Sequence, residues 1–276
     1  MEQSLLSHSI RNLEGELGVK LFQRTTRRTW LTRAGMRFYQ EARRILRDID
    51  AATAAVRRNE VDEPMVVRLA LGEDLASEPF TRLLFELEHH TPKVELEVRE
   101  LMHTEAARHV RDRAADVAIT LNGKPESELA RVRGWSEPLM IVVPIGHAFA
   151  ERDQVNLAEL RDQTLALPTA DECPGYLAQV ESFLSRHDVR PAHRVNVRHW
   201  NTAVSFAATG RAIALCPTTM IHTSNAVAII PIAEPDAELT TWLLYREGEL
   251  SASVSLVLDV ASDVAEDGPL LTEAVI

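Results

Sequence analysis

From Met65 to Val264 the chain alternates short β-prone runs with amphipathic helical segments, and this alternation limits the folds open to it. Met65–Leu71 (MVVRLAL) is apolar and β-prone. Ser77-Glu78-Pro79 opens a helix running to His90, with Phe80, Leu83, Leu84 and Leu87 on one face. Val94–Val98 alternates as a strand, Thr104–Arg113 reads as a helix and Ala115–Thr120 as a buried strand. Pro138–Pro144 is a long apolar strand closed by proline. The same order then repeats. Leu157–Arg161 is helical, Thr164–Leu167 a strand, Gly175–Arg186 a helix, Val195–Val197 a strand and Asn201–Thr209 a helix. Gly210–Pro217 and Glu238–Arg246 read as strands, and Ser251–Val264 as a closing helix. Strands separated by helices of about ten to fifteen residues imply a mainly parallel sheet, hence an α/β fold.

Charge divides the chain differently. The total is −11, from 41 Asp and Glu against 30 Lys and Arg. An evenly acidic chain would argue against a nucleic-acid partner, but residues 1–58 hold 12 basic and 6 acidic side chains, a local charge of +6. The remainder carries −17. Such asymmetry points to a basic nucleic-acid-binding module joined to an acidic partner domain, although charge alone also fits a solvated basic surface. Two cysteines, Cys173 and Cys216, exclude a disulfide-stapled scaffold. The N-terminus lacks a basic segment followed by an apolar one, so no signal peptide is expected. The uncharged stretch Ala212–Ala233 contains Pro217, His222, Asn225 and Pro231, which suits a soluble strand and loop better than a membrane span. A cytoplasmic protein with reduced thiols and no membrane partner is expected.

The basic segment has its own pattern. Leu6, Ile10, Leu13 and Leu17 form a helical stripe, followed by Gly18 where a C-terminal cap belongs. Gln3, Ser4, Ser7, His8 and Arg11 occupy other faces and suit contacts to base edges. Val19–Phe22 reads as a short strand and Gln23–Thr29 as a basic turn carrying Arg24, Arg27 and Arg28, before Trp30-Leu31. Strand, basic turn and strand make a wing that holds phosphates without reading sequence. Thr32 caps a further helix, in which Phe38, Ala42, Ile45, Ile49, Ala52 and Val56 recur at spacings of 4, 3, 4, 3 and 4. That is a heptad seam, and a dimer contact explains it better than a lone surface helix. Asn59–Pro64 (NEVDEP) is a polar linker.

The run Gln3-Ser4-Leu5-Leu6-Ser7, Ile10–Glu14, Leu17–Arg24 and Leu31–Gly35 resembles the LysR-type transcriptional regulators, and the remainder of the chain fits that family. The resemblance implies a partial all-α winged helix-turn-helix over residues 1–32 and a long dimerisation helix over 33–60. It also implies an effector domain of two doubly wound lobes like periplasmic-binding proteins of type II. Lobe I would span 65–143 and lobe II 144–237, with a return to lobe I and a tail over 238–276. The implied partners are double-stranded promoter DNA, a small-molecule effector between the lobes, and further copies of the chain in a dimer or tetramer. One departure concerns the N-terminus. Family members usually begin some twenty residues earlier, with the helices that cover the Leu6–Leu17 stripe. The expectation is either a true start upstream of Met1, or a small-molecule-binding protein whose DNA module is truncated and non-functional.

Effector contacts are expected where strands and loops meet the cleft: Glu73 and Asp74, Thr120 and Asn122, Thr169 and Asp171, and Asn201 and Thr202 at a helix start. Two carboxylates at 73 and 74 would repel an anion and favour a neutral or cationic effector, unless they serve to cap the following helix. No nucleophile elbow, P-loop or dinucleotide-binding glycine motif is present, and the ten histidines show no helical metal-ligand pair. Neither cysteine has a basic sequence neighbour to activate it. A non-enzymatic protein without cofactor or metal is expected.

Overall fold

A computed structural model describes residues 2–24, 29–39, 42, 45, 49, 64–72, 75, 77–90, 93–217, 226–248 and 250–267. Two compact units result, Met1–Glu63 and Pro64–Ile276. The first begins with helix α1 (Glu2–Leu17), which ends at Gly18 with φ +68°. An antiparallel hairpin follows, β1 (Phe22–Arg24) paired to β2 (Thr29–Leu31) with Gln23 opposite Trp30. Residues 33–39, 42, 45 and 49 are helical. Of the heptad seam, Ala52 and Val56 lie outside the described residues.

The second unit is built on β3 (Met65–Leu71), β4 (Val94–Glu100), β5 (Val117–Thr120) and a 16-residue strand β6 (Leu129–Pro144). Helix α2 (Glu78–Glu88) follows β3, and α3 (His103–Arg111) follows β4. As expected, Ser77 caps α2, its hydroxyl accepting the Phe80 N–H at 3.4 Å, and proline occupies the first turn. β3 is parallel to both β4 and β5. Alternation along β3 sends Leu69 and Leu71 into the main core, while Ala70 meets Ala106, Val110 and Ala118 under α3.

The chain then enters β7 (Thr164–Pro168), α4 (Pro174–Arg186), β8 (His193–Val197), α5 (Trp200–Ala208) and β9 (Ile213–Pro217). β7 is parallel to β8 and β9. Gly210, at φ +70°, turns the chain between α5 and β9. β10 (Val227–Pro231) was absent from the expected elements and pairs with the second half of β6. β11 (Glu238–Arg246) returns between β5 and β6, and α6 (Ala252–Asp267) closes against β3, β6 and α2.

β6 belongs to both lobes. Leu129–Pro138 pair with β11, whereas Leu139–Val142 pair with β9 and Met140–Pro144 with β10. The expected crossing strand Pro138–Pro144 is therefore one half of a longer strand, and lobe II begins near Leu139. Inside lobe II, Tyr176 of α4 is fully buried, donates its hydroxyl proton to the Leu215 carbonyl at 2.7 Å, and stands edge-on to Trp200 at 4.1 Å. Tyr176→Phe is expected to lower the unfolding free energy by about 1 kcal/mol, and Tyr176→Ala by about 3–5 kcal/mol. Chemical denaturation of the two variants checks this ratio.

Candidate functional sites

In the first unit a buried carboxylate joins helix to wing. Glu14, 5% exposed, accepts the Lys20 ammonium and the Leu21 N–H at 2.9 Å and the Phe22 N–H at 3.0 Å. Thr32 completes the join: its hydroxyl donates to the Lys20 carbonyl at 2.6 Å and accepts the Gly35 N–H at 2.9 Å, and its own N–H reaches the Leu21 carbonyl. Gly35 lies directly on that segment, since an added Cβ would meet the Leu21 oxygen at 1.9 Å. Trp30 and Gln23 lock the hairpin through an indole-to-amide bond of 2.7 Å.

This frame presents the side of α1 opposite the Leu6–Leu17 stripe. His8 and Arg11 are exposed, Ser7 is half-buried, and the Arg11 Nε donates to the Ser7 carbonyl at 3.1 Å. Asn12, exposed beside His8 at 3.3 Å, was not among the expected base-reading residues. Its position four residues after His8 on the same helix was the available signal. Gln3, Ser4 and Arg24 lie within α1 and β1, but their side chains are outside the described part, as are Arg27 and Arg28 entirely. On the apolar side Leu6 remains 64% exposed.

In the second unit the expected effector residues divide. Glu73 and Asp74 lie outside the described residues. Thr120 is 3% exposed, and its hydroxyl accepts the Asn122 N–H at 3.0 Å, closing a local turn. Thr169 is half-buried, its carbonyl accepting the Glu172 and Cys173 N–H groups, and Asp171 is exposed. Asn201 and Thr202 are exposed on the first turn of α5, whose preceding His199 makes no side-chain cap.

A cavity of about 430 Å³ opens between the lobes. Its lobe I wall includes Asn122 and Lys124, its lobe II wall Gln179 and Arg186 of α4, and its floor Glu238 and Trp242 of β11. Among the described residues, Asn122 is the one expected contact that lines it. Gln179 and Trp242 carried no local sequence signal, because the pairing of α4 with β11 spans some sixty residues. Arg186 and then His187 bond to Asp236 and hold its carboxyl below the usual range. Glu238 accepts Arg133 at 2.6 Å. Among the described residues Lys124 has no ion pair. The described wall therefore carries a free positive charge, and Glu73 and Asp74, which would favour a neutral or cationic effector, lie outside it. Cys173 and Cys216 are buried, and burial pushes the Cys216 thiol up to about 12, the opposite of a reactive thiolate. Among the described residues no cluster of three or more metal-binding side chains occurs, and no helix is long and apolar enough to cross a membrane.

Residues 62–266 match the family described as LysR substrate binding domain, and residues 1–36 match the bacterial regulatory helix-turn-helix protein, lysR family. The chain belongs to the LysR family of transcriptional regulators. It is 31% identical over 271 residues to the HTH-type transcriptional regulator ShiR of Corynebacterium glutamicum, covering 96% of this chain and 90% of ShiR. Identity to the regulator BenM of Acinetobacter baylyi is 27%, over 91% of this chain and 84% of BenM. Full-length BenM superposes with a TM-score of 0.67 at 23% identity, over 96% of this chain and 88% of BenM. CbnR, solved in complex with its target DNA, gives 0.64 at 19% identity, over 95% and 90%. This regulator thus joins a DNA-binding N-terminal unit to an effector-binding α/β domain.

The Glu14 contacts make a measurable claim. Lys20, followed by the Phe22 and Leu21 N–H groups, draws its carboxyl from an ordinary 4.5 down to about 2. The folded value is depressed, so its contribution is fully present above pH 4.5 and is lost as pH falls towards 2. The amide-proton shifts of Leu21 and Phe22 are expected to titrate near pH 2, and a midpoint near 4.5 would contradict the bonding.

Proposed function

We propose that the regulator reads its promoter through the exposed side of α1. His8, Arg11 and Asn12, with Gln3, Ser4 and Ser7, face base edges in the major groove, while Arg24, Arg27 and Arg28 of the wing hold phosphates. The observation that carries this reading is the solvent-facing set His8, Arg11 and Asn12, on the side of the helix away from its apolar stripe. The linker helix pairs two copies along Phe38, Ala42, Ile45, Ile49, Ala52 and Val56. In support, Ile45 and Ile49 are 56% and 54% exposed. A small molecule between the lobes biases the assembly between two arrangements and so alters how DNA is held. BenM, a relative whose effector binding domain has been solved with its effector benzoate, supports an effector-binding role for the α/β domain. The regulator works in the cytoplasm, as a dimer or tetramer, without catalysing a reaction.

The exposure of Leu6 favours a second reading, a small-molecule-binding protein whose DNA module does not function. Selection of bound fragments from genomic DNA separates the two: an enriched site supports the regulator, and uniform recovery supports the alternative. Arg11→Ala is expected to relax sequence preference. Arg27→Ala is expected to weaken all DNA about equally and reduce the salt slope by about one unit. Equal losses on cognate and random DNA for both variants would refute this division of roles. Ile45→Asp is expected to shift the sedimentation of the full chain towards smaller species, by placing a charge in the seam.

A further inference from the structure

An amide side chain of lobe II fastens it to the backbone of lobe I. Gln179, in the second turn of α4, donates from Nε2 to the Leu121 carbonyl at 2.7 Å and the Thr240 carbonyl at 2.8 Å. Its Oε1 accepts the Thr240 N–H at 2.8 Å. Leu121 directly follows β5 and Thr240 belongs to β11, both strands of the lobe I sheet, whereas α4 belongs to lobe II. β5 reaches β11 only as far as the pair Thr120–Trp242, so Thr240 lies beyond the end of that ladder. The Gln179 amide engages both the N–H and the C=O of Thr240, as the next strand residue would, and thereby extends the sheet across the lobe boundary.

One turn earlier, Gly175 lets α4 rest on the same place. A Cβ there would meet the Asn122 nitrogen at 2.4 Å and the Leu121 carbonyl carbon at 2.5 Å. At the far end of α4, Arg186 and His187 bond to Asp236, at 2.9 and 2.8 Å, just ahead of β11. Gly175, Gln179 and Arg186 lie along one stripe of the helix, and all three wall the interlobe cavity.

We infer that Gln179 is the clamp that sets the separation of the two lobes, with Gly175 as its seat. Any change in lobe separation must release two carbonyls and one N–H at once, so cavity shape and clamp closure change together. The inference bears on regulation of the proposed effector site. Its test needs no ligand, so failure of the clamp is distinguishable from failure of that reading.

Hydrogen exchange read by mass spectrometry on the full-length protein decides it. Gln179→Leu keeps the bulk and removes all three bonds. Gln179→Glu keeps an acceptor for Thr240 N–H but sets a carboxylate oxygen against two carbonyls. Exchange in peptides spanning 121–124 and 238–242 is expected to rise about tenfold in Gln179→Leu and further in Gln179→Glu, with β7 and β8 unchanged. Gly175→Ala, which leaves the amide in place but pushes α4 off Leu121, is expected to act on the same peptides. Unchanged exchange at 238–242, or an equal rise throughout lobe II, would overturn the clamp. An order in which Leu exceeds Glu would overturn its hydrogen-bonding basis.

Discussion

The pairing of β6 with β11 along its first half, and with β9 and β10 on either side of its second half, determines everything else in the effector domain. A single strand of sixteen residues is an outer strand of the lobe I sheet and an inner strand of the lobe II sheet, so neither lobe can form its register independently of the other. Burial follows the same logic. Leu139, Ile141, Val142 and Val143 in the lobe II half are buried almost completely, while Arg131 and Arg133 in the lobe I half are exposed. Burial on both faces is what a strand covered by helices on each side requires. A charged substitution at Ile141 or Val142 would thus disturb the pairing to β9 and to β10 together.

The N-terminal unit has no comparable strand and is organised around a charge instead. Burying a carboxylate is costly unless it is paired and hydrogen-bonded, and Glu14 meets both conditions through Lys20 and two backbone N–H groups. Those N–H groups belong to the segment leaving α1, so the ion fixes the direction in which the wing departs. Thr32 and Gly35 then tie the linker helix to the same segment. Reading helix, wing and linker helix are in this way oriented around Lys20–Phe22, a shared junction within the unit.

Most of the helices and strands were legible because their signals are local. Ser77 before Glu78-Pro79 marks a helix start by its own capping chemistry, and Glu238–Arg246 is bounded by its own apolar alternation. β10 was less visible: Val227–Pro231 lies in a long uncharged stretch, where apolar residues alone do not separate strand from loop. The effector site was the least legible part. A threonine at a strand end has equal sequence claims to face a ligand or to cap its own turn, and Thr120 does the second. Gln179 and Trp242 enter the cavity wall only through contacts that link α4, the end of β5 and β11 across the chain. Periodicity does not encode such contacts.

The crossing strands also explain why a clamp belongs at Thr240. Along β6 and β11 the register runs from Ser136–Thr240 to Arg133–Trp242, which leaves Gly134 and Trp135 opposite Thr241 alone. Two residues against one is a bulge, and a bulge interrupts the ladder and bends the strand that carries it. Gly134 fits there because a Cβ would meet the Leu243 Cδ1 at 2.5 Å. The cost of the interruption is visible beside it: the Thr241 hydroxyl and the Trp135 indole N–H are buried without a hydrogen-bond partner among the described residues. On its other side β11 pairs with β5 only as far as Trp242, and the N–H and C=O that Thr240 presents there must be met by something. Gln179 meets them from the opposite lobe. The fastening of the lobes thus depends on where β5 ends, since a β5 ladder continued to Thr240 would have left no backbone groups for α4 to hold.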